Sequence, residues 1–155
     1  MCTSKAVYVG FDPTAESIHL GNLVSLVALN WFRVYGYKPI VLFGGATGMI
    51  GDPSGRSSER NLLHSDDIKQ NISNFYKQFS ALDKQIKNHL PTDNPLKDIT
   101  YVDNYEFYSR LNSIEFLRDV GKHFRVASML GRDSVKSRMD SEDGISFTEF
   151  SYQIL

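Results

Sequence analysis

The stretch Gly10-Phe11-Asp12-Pro13-Thr14-Ala15-Glu16-Ser17-Ile18-His19-Leu20-Gly21-Asn22 decides how this chain is read. A short strand-prone run, Ala6 to Val9, precedes it, and a long apolar helical pattern, Leu23 to Tyr35, follows. A strand, a tight turn containing Gly and Pro, and a helix start therefore meet within a few residues. Such a junction aims unpaired backbone N–H groups and the positive end of a helix dipole at whatever binds there, usually a phosphate. His19 and Asn22 lie one helical turn apart, so both can face the same ligand. The sequence predicts an anion site at this turn.

Working outward, no G-x-x-x-x-G-K-[ST] phosphate loop is present. Gly44-Gly45-Ala46-Thr47-Gly48-Met49-Ile50-Gly51 follows a strand-like run, Ile40 to Phe43, and loosely suggests a dinucleotide turn. Its spacing departs from G-x-G-x-x-G and no helix pattern opens directly after it; Asp52-Pro53-Ser54-Gly55 continues it as loop. The pattern predicts strands at Ala6–Val9, Pro39–Phe43 and Ile99–Val102. Helices are expected over about Leu20 to Tyr35, ended by Gly36, and from Ser65-Asp66-Asp67, an N-cap with an acidic first turn, to about Leu82. Asn88 to Asp98 reads as loop, and further helices as Ser113–Val120, Val126–Met139 and from Phe147 onward. This alternation argues for an α/β fold, a parallel sheet with flanking helices. Ligands in such sheets bind outside the carboxyl ends of the strands, where both glycine turns fall.

The chain has 155 residues, enough for one domain with a core. A net charge of −1 argues against a general polyanion binder such as a DNA-coating protein. Cys2 is the single cysteine, which excludes an intramolecular disulfide, and no Cys/His cluster suggests a metal centre. No apolar run approaches membrane-spanning length and no signal-peptide core precedes the first strand. The expectation is a soluble, intracellular protein. The apolar run Phe147–Leu155 lacks a stop signal, and Tyr8 comes almost at once, so the domain is expected to be incomplete at both ends.

Taken together, these segments carry a resemblance. Phe11-Asp12-Pro13-Thr14-Ala15 with His19-Leu20-Gly21-Asn22 resembles the phosphate-binding His-x-Gly-His/Asn motif of class I aminoacyl-tRNA synthetases. Gly44 to Gly48, Gly51-Asp52-Pro53-Ser54-Gly55, and Ile145-Ser146-Phe147-Thr148-Glu149-Phe150-Ser151-Tyr152 look like the tyrosine-specific members of bacterial and organellar type. The resemblance runs from about Val7 to Leu155. It implies a Rossmann-like nucleotide-binding fold truncated within the catalytic domain, with residues 1–155 forming part of that domain. It also implies a tyrosine–tRNA ligase, with L-tyrosine, ATP carrying Mg²⁺ and tRNA(Tyr) as ligands and partners, acting as a homodimer. The compartment would be a bacterial cytoplasm or a mitochondrial or plastid matrix. A truncated, non-catalytic RNA-interacting module of the same fold is the alternative.

Amino-acid activation is carboxylate attack on the α-phosphate of ATP with pyrophosphate leaving, so the enzyme positions reactants and stabilises growing charge. By resemblance, Thr14 and His19 meet the pyrophosphate and Asn22 fills the last place of the motif. Gly10, Asp12 and Gly21 belong to the nucleotide site, Gly21 letting the adenine lie against the helix. Asp52 and Tyr152 take the ammonium of tyrosine, with Thr47 close by, and Tyr8 pairs with its phenol. Arg56 and Arg60 are loop cations that would close over pyrophosphate. An N-cap role competes for His19, turn chemistry for Asp52, and plain aromatic packing for Tyr8 and Tyr152. Arg125, Arg132, Lys136 and Arg138 are candidates for acceptor-stem phosphates, against a solvated helix face. Phe116, Leu117, Phe124, Met129, Leu130 and Phe147 are candidates for a dimer interface, against core packing.

Overall fold

The computed structural model describes residues 5–53, 63–90, 95–141 and 144–155. Three parallel strands, β1 (Ala6–Phe11), β2 (Lys38–Phe43) and β3 (Thr100–Asp103), lie in the order β1-β2-β3. The register pairs Phe11 with Phe43, and Phe43 with Asp103, so all three strands end at one level. Helix α1 (Leu20–Val34) connects β1 to β2; α2 (Gly45–Ile50) and α3 (Ser65–His89) connect β2 to β3. Strands added consecutively through same-handed crossovers put their helices on one face. The core confirms this: Phe11, Val41 and Phe43 of the sheet pack with Leu26 and Leu29 of α1 and Phe75 and Phe79 of α3. Phe79 is fully buried and its ring lies 4.8 Å from Phe11 and 6.1 Å from Phe43, so truncating it would cost about 3–5 kcal/mol. The α/β fold with a parallel sheet and flanking helices is as the sequence led one to expect.

The end of α1 follows from local chemistry. Gly36 takes φ +83°, which frees its N–H to reach Arg33 O at 2.9 Å while Tyr37 N–H reaches Phe32 O at 3.1 Å. This is the double bond of a Schellman stop, and its accompanying apolar contact is the Phe32–Tyr37 ring pair at 5.4 Å.

Several boundaries differ from the sequence reading. Strand β1 runs on to Phe11, because Gly44 N–H still bonds Phe11 O. Strand β3 lies one residue later than expected. Helix α3 continues past Leu82 to His89, since its extra turns are tied to the rest of the fold: Asp83 takes the fully buried Arg33, and Lys87 bonds Asp83 and Asp98. The single helix expected over 126–139 is two, α6 (Val126–Leu130) and α7 (Asp133–Met139), because Gly131 and Arg132 break it. Helix α4 (Tyr105–Tyr108) was not foreseen, while α5 (Ser113–Asp119) was. The final run is helix α8 (Phe147–Ser151) followed by a 3₁₀ turn, Tyr152–Ile154. No helix among the described residues is long and apolar enough to cross a membrane.

Candidate functional site

A cavity of about 460 Å³ opens at the carboxyl ends of the strands. The turn after β1 contributes Asp12, Thr14, His19 and Asn22; the segment after β2 contributes Gly44, Thr47 and Asp52; Asn104 follows β3, and Tyr152 arrives from the far end of the chain. Gly10 and Leu42 form the floor. One cavity therefore gathers eight of the twelve site residues singled out by sequence: Gly10, Asp12, Thr14, His19, Asn22, Thr47, Asp52 and Tyr152. No lysine or arginine is among its described lining residues, so its charge comes from Asp12 and Asp52.

His19 is the N-cap of α1. Its Nδ1 accepts from Gly21 N–H at 3.1 Å and Asn22 N–H at 3.4 Å, and Asn22 Oδ1 accepts from His19 N–H at 2.9 Å. The expectation of unpaired helix amides facing a ligand is therefore corrected at these two positions: the imidazole occupies them. The same bonds fix the tautomer. With Nδ1 accepting, the proton of the neutral ring is on Nε2, which becomes a donor on a helix's positive end. Capping and ligand binding are thus compatible roles for one ring. Gly21 acquires a second reason to be glycine, since a Cβ there would lie 3.0 Å from the His19 ring.

The glycine run after β2 is the other correction. It holds helix α2, which local propensity did not announce, and the helix forms because side chains from the β3 end cap it. Asp103 Oδ1 accepts from Gly45 N–H at 3.0 Å and Asn104 Oδ1 accepts from Ala46 N–H at 2.7 Å. Its first amides are satisfied within the protein. A Cβ on Gly44 would lie 2.0 Å from Asp12 Oδ1, and one on Gly45 would lie 2.2 Å from Asp103 Oδ1. These glycines exist so that backbone can approach carboxylates, a packing requirement.

A directed chain of hydrogen bonds crosses the cavity. Because Asn104 Oδ1 takes Ala46 N–H, its Nδ2 must donate, and it does so to Thr47 Oγ at 3.1 Å. Thr47 then donates to Asp12 Oδ1 at 2.7 Å, and the Tyr152 hydroxyl donates to Asp12 Oδ2 at 2.8 Å. Thr47 and Asn104 are 7 % and 5 % exposed, which makes these bonds costly to break. Asp12 is held from both oxygens on the side of the cavity where Thr47 and Tyr152 stand. Asn104 and Asp103 escaped sequence reasoning; the only signal was an Asp-Asn pair just before an aromatic helical turn, which reads as an ordinary cap.

Other expected residues are placed less centrally. Tyr8 is 68 % exposed and does not line the cavity; it stands two residues before Gly10 on the same sheet face, roughly 6.6 Å along the strand. Arg56 and Arg60 lie outside the described residues. Of the basic group, Arg125, Arg132 and Lys136 are exposed, but Arg138 is 1 % exposed and bonded to Glu149, which removes it from any phosphate-binding surface. The apolar group divides: Met129 is buried, whereas Leu117 and Phe147 are 57 % and 78 % exposed. Among the described residues no group of three or more His, Cys, Asp or Glu could hold a metal ion.

Comparison with known proteins agrees with the fold. The family model for class I tRNA synthetases (W and Y) matches residues 2–155. The chain is 50 % identical over 149 residues to the tyrosine–tRNA ligase of Opitutus terrae, covering 96 % of this chain and 33 % of that protein. It is 46 % identical over 154 residues to the mitochondrial tyrosine–tRNA ligase of Drosophila melanogaster, covering 97 % and 33 %. Among solved structures, a C-terminally truncated mitochondrial tyrosyl-tRNA synthetase of Aspergillus nidulans superposes with a TM-score of 0.87 at 36 % identity, covering 98 % of this chain and 43 % of that one. The corresponding Coccidioides posadasii protein gives 0.80 at 32 % identity, covering 95 % and 40 %. The chain spans about a third of the length of the curated relatives it matches.

Proposed function

We propose, from the premise that this chain belongs to the class I tRNA synthetases of the tryptophan and tyrosine group, that residues 1–155 form part of the catalytic domain of a tyrosine–tRNA ligase. The observation that carries the reading is the cavity in which an acidic edge, Asp52 with Tyr152, stands beside hydrogen-bond donors, Thr14, His19 and Asn22, while Asp12 of the nucleotide site anchors the Tyr152 hydroxyl. An amino acid and a nucleotide need those two kinds of surface next to each other.

The chemistry follows from the groups present. The substrate ammonium enters on the carboxylate side, met by Asp52 and by the oxygen of Tyr152, whose proton already points at Asp12. The substrate carboxylate then attacks the α-phosphorus of ATP; an O–P bond forms to the carboxylate and the bond to the pyrophosphate oxygen breaks. His19 Nε2–H, the Thr14 hydroxyl and the Asn22 amide stabilise charge growing on the phosphates, and removing one such donor costs about 10²–10³ in rate. Magnesium belongs to the nucleotide as it binds. Arg56 and Arg60 are assigned to the pyrophosphate side by their place in the sequence motif. Tyr8 is assigned to the substrate phenol, a pairing that would reject phenylalanine because a site hydroxyl would be left unpaired.

The natural partners on this reading are L-tyrosine, ATP and tRNA(Tyr), and a second copy of the chain through the exposed apolar residues Leu117 and Phe147. Relatives of bacterial and of mitochondrial description support a bacterial cytoplasm or an organellar matrix as the compartment. The test is amino-acid-dependent exchange of labelled pyrophosphate into ATP by the full-length protein. Exchange with tyrosine, and none with tryptophan or phenylalanine, supports the reading; exchange with tryptophan alone overturns the specificity, and binding of tRNA without any exchange overturns the enzyme assignment. Sedimentation of the same protein reads the dimer.

A further inference from the structure

Arg138 of α7 and Glu149 of α8 form a buried, two-point ion pair that the chemistry above does not use. Arg138 Nε donates to Oε1 at 3.2 Å and Nη2 to Oε2 at 3.1 Å, with Arg138 1 % and Glu149 5 % exposed. The arrangement is reinforced on both sides. Arg138 Nη1 donates to Ser141 Oγ at 3.1 Å, and Ser146 Oγ caps the Glu149 amide at 3.2 Å.

The position of this pair matters because of what α8 carries. Glu149 stands three residues before Tyr152, one helical turn away. Helix α8 has only five residues and its Phe147 is 78 % exposed, so the apolar part of its placement comes from the partly buried Phe150. Polar ties add to it: Glu149 to Arg138 within the helix, and Tyr152 to Asp12 just after it. A planar guanidinium gripping both oxygens of a carboxylate fixes rotation as well as distance. Buried ion pairs are poor sources of stability compared with apolar packing, and geometry is what such a pair supplies well.

We propose that the Arg138–Glu149 pair is a positioning device that sets the angle of α8 and thereby holds the Tyr152 hydroxyl on Asp12, tuning the site's affinity for the amino group of its substrate without touching it. The proposal rests on the reading of Tyr152 as an ammonium ligand. It makes Arg138 and Glu149 positioning residues for the amino-acid half of the site alone.

Pyrophosphate exchange by the full-length protein tests it, with active sites counted by the burst of adenylate. Glu149→Gln keeps the shape and loses the charge; Arg138→Lys keeps the charge and loses the fork. Each is expected to raise the KM for tyrosine about 10-fold while the KM for ATP and kcat per active site stay within about twofold. Tyr152→Phe raises the tyrosine KM as well, and adding Glu149→Gln to it is expected to change that KM by less than about twofold, because both act through one contact. A lower active-site count with an unchanged tyrosine KM, or effects that multiply independently in the double variant, overturns the proposal. Should neither single variant fold, Arg138→Met with Glu149→Leu removes both charges of the pair, and an unchanged tyrosine KM in it is equally fatal. Absence of tyrosine-dependent exchange in the unmutated protein would remove the underlying reading, and this proposal with it.

Discussion

The hydroxyl of Tyr152 donates to the carboxylate of Asp12 at 2.8 Å across 140 positions of sequence. This bond joins the first and last elements of the segment and aligns Tyr152 with Thr47, which holds the other Asp12 oxygen. Tyr152→Phe keeps the ring and removes the donor. We expect about a tenfold loss in tyrosine affinity, in the range of a hydrogen bond to a charged group, with nucleotide affinity unchanged. Equilibrium dialysis with each ligand reads the split; equal losses for both ligands would contradict it.

Two glycines near the cavity make opposite predictions. A Cβ on Gly44 would collide with Asp12 Oδ1 and Thr47 Oγ, so Gly44→Ala should destabilise the fold by about 1–3 kcal/mol. A Cβ on Gly10 meets nothing within 4 Å, so Gly10→Ala should leave stability within about 0.5 kcal/mol. Since Gly10 floors the cavity, its variant should still lose ligand affinity. Urea unfolding beside ligand titration separates the two, and a destabilised Gly10→Ala would show that the floor is packed rather than open.

His19 carries two roles that substitution can separate. Asn is a strong N-cap, so His19→Asn should preserve α1 and the melting midpoint while removing the Nε2 donor and lowering exchange by about 10²-fold. His19→Ala should lose the cap too, at about 1 kcal/mol. Equal melting midpoints for the two variants would mean the capping bonds contribute nothing.

Arg33 is fully buried and reaches Asp83, Asn30 and the Lys97 carbonyl, tying α1 to α3 and to the approach of β3. Arg33→Leu strands Asp83, although Lys87 remains 3.1 Å from its other oxygen. The cost should sit near the low end for a broken buried pair, about 3 kcal/mol, and denaturant titration measures it. A loss under about 1 kcal/mol would show that the pair is solvated in practice.

The Lys87–Asp98 contact at 2.6 Å gives a pH signature. The hydrogen bond from Lys87, then its charge, hold the Asp98 carboxyl below its ordinary range, and the same bond raises Lys87. Asp98's contribution is therefore present above the ordinary aspartate range and disappears as pH falls through its lowered folded value. Lys87's is present below the ordinary lysine range and disappears as pH rises through its raised folded value. The melting midpoints of Asp98→Asn and the parent should differ by a small, constant amount between about pH 5 and 9 and converge in acid. Asp98 is exposed, so added salt should shrink the difference. A difference that grows in acid would reverse the assignment.

Much of this architecture was readable before any coordinates. The strand–turn–helix at Gly10–Asn22 needs only local chemistry: a strand-prone run, a turn with Pro13, and a helix start beside His19, whose cap role stood only as the competing reading. The cavity residues Asp12, Thr14, Thr47, Asp52 and Tyr152 were also singled out from their motifs, and the fold brings them together. Helix α2 was missed because its stabilising caps, Asp103 and Asn104, lie 58 positions away. Arg138 was misread because a basic residue on a helix looks solvated until its partner is known.

What the sequence determined alone is therefore whatever depends on neighbours within a turn or two: the alternation of strands and helices, the Gly36 stop, and the identities of the residues at the strand ends. What only the tertiary structure decided is the direction of the hydrogen bonds running from Asn104 through Thr47 to Asp12 and back from Tyr152, and the burial of Arg138 on Glu149. The physical reason is range. Propensity and capping act along the chain, whereas the satisfaction of a buried polar group depends on which distant donor the fold delivers to it.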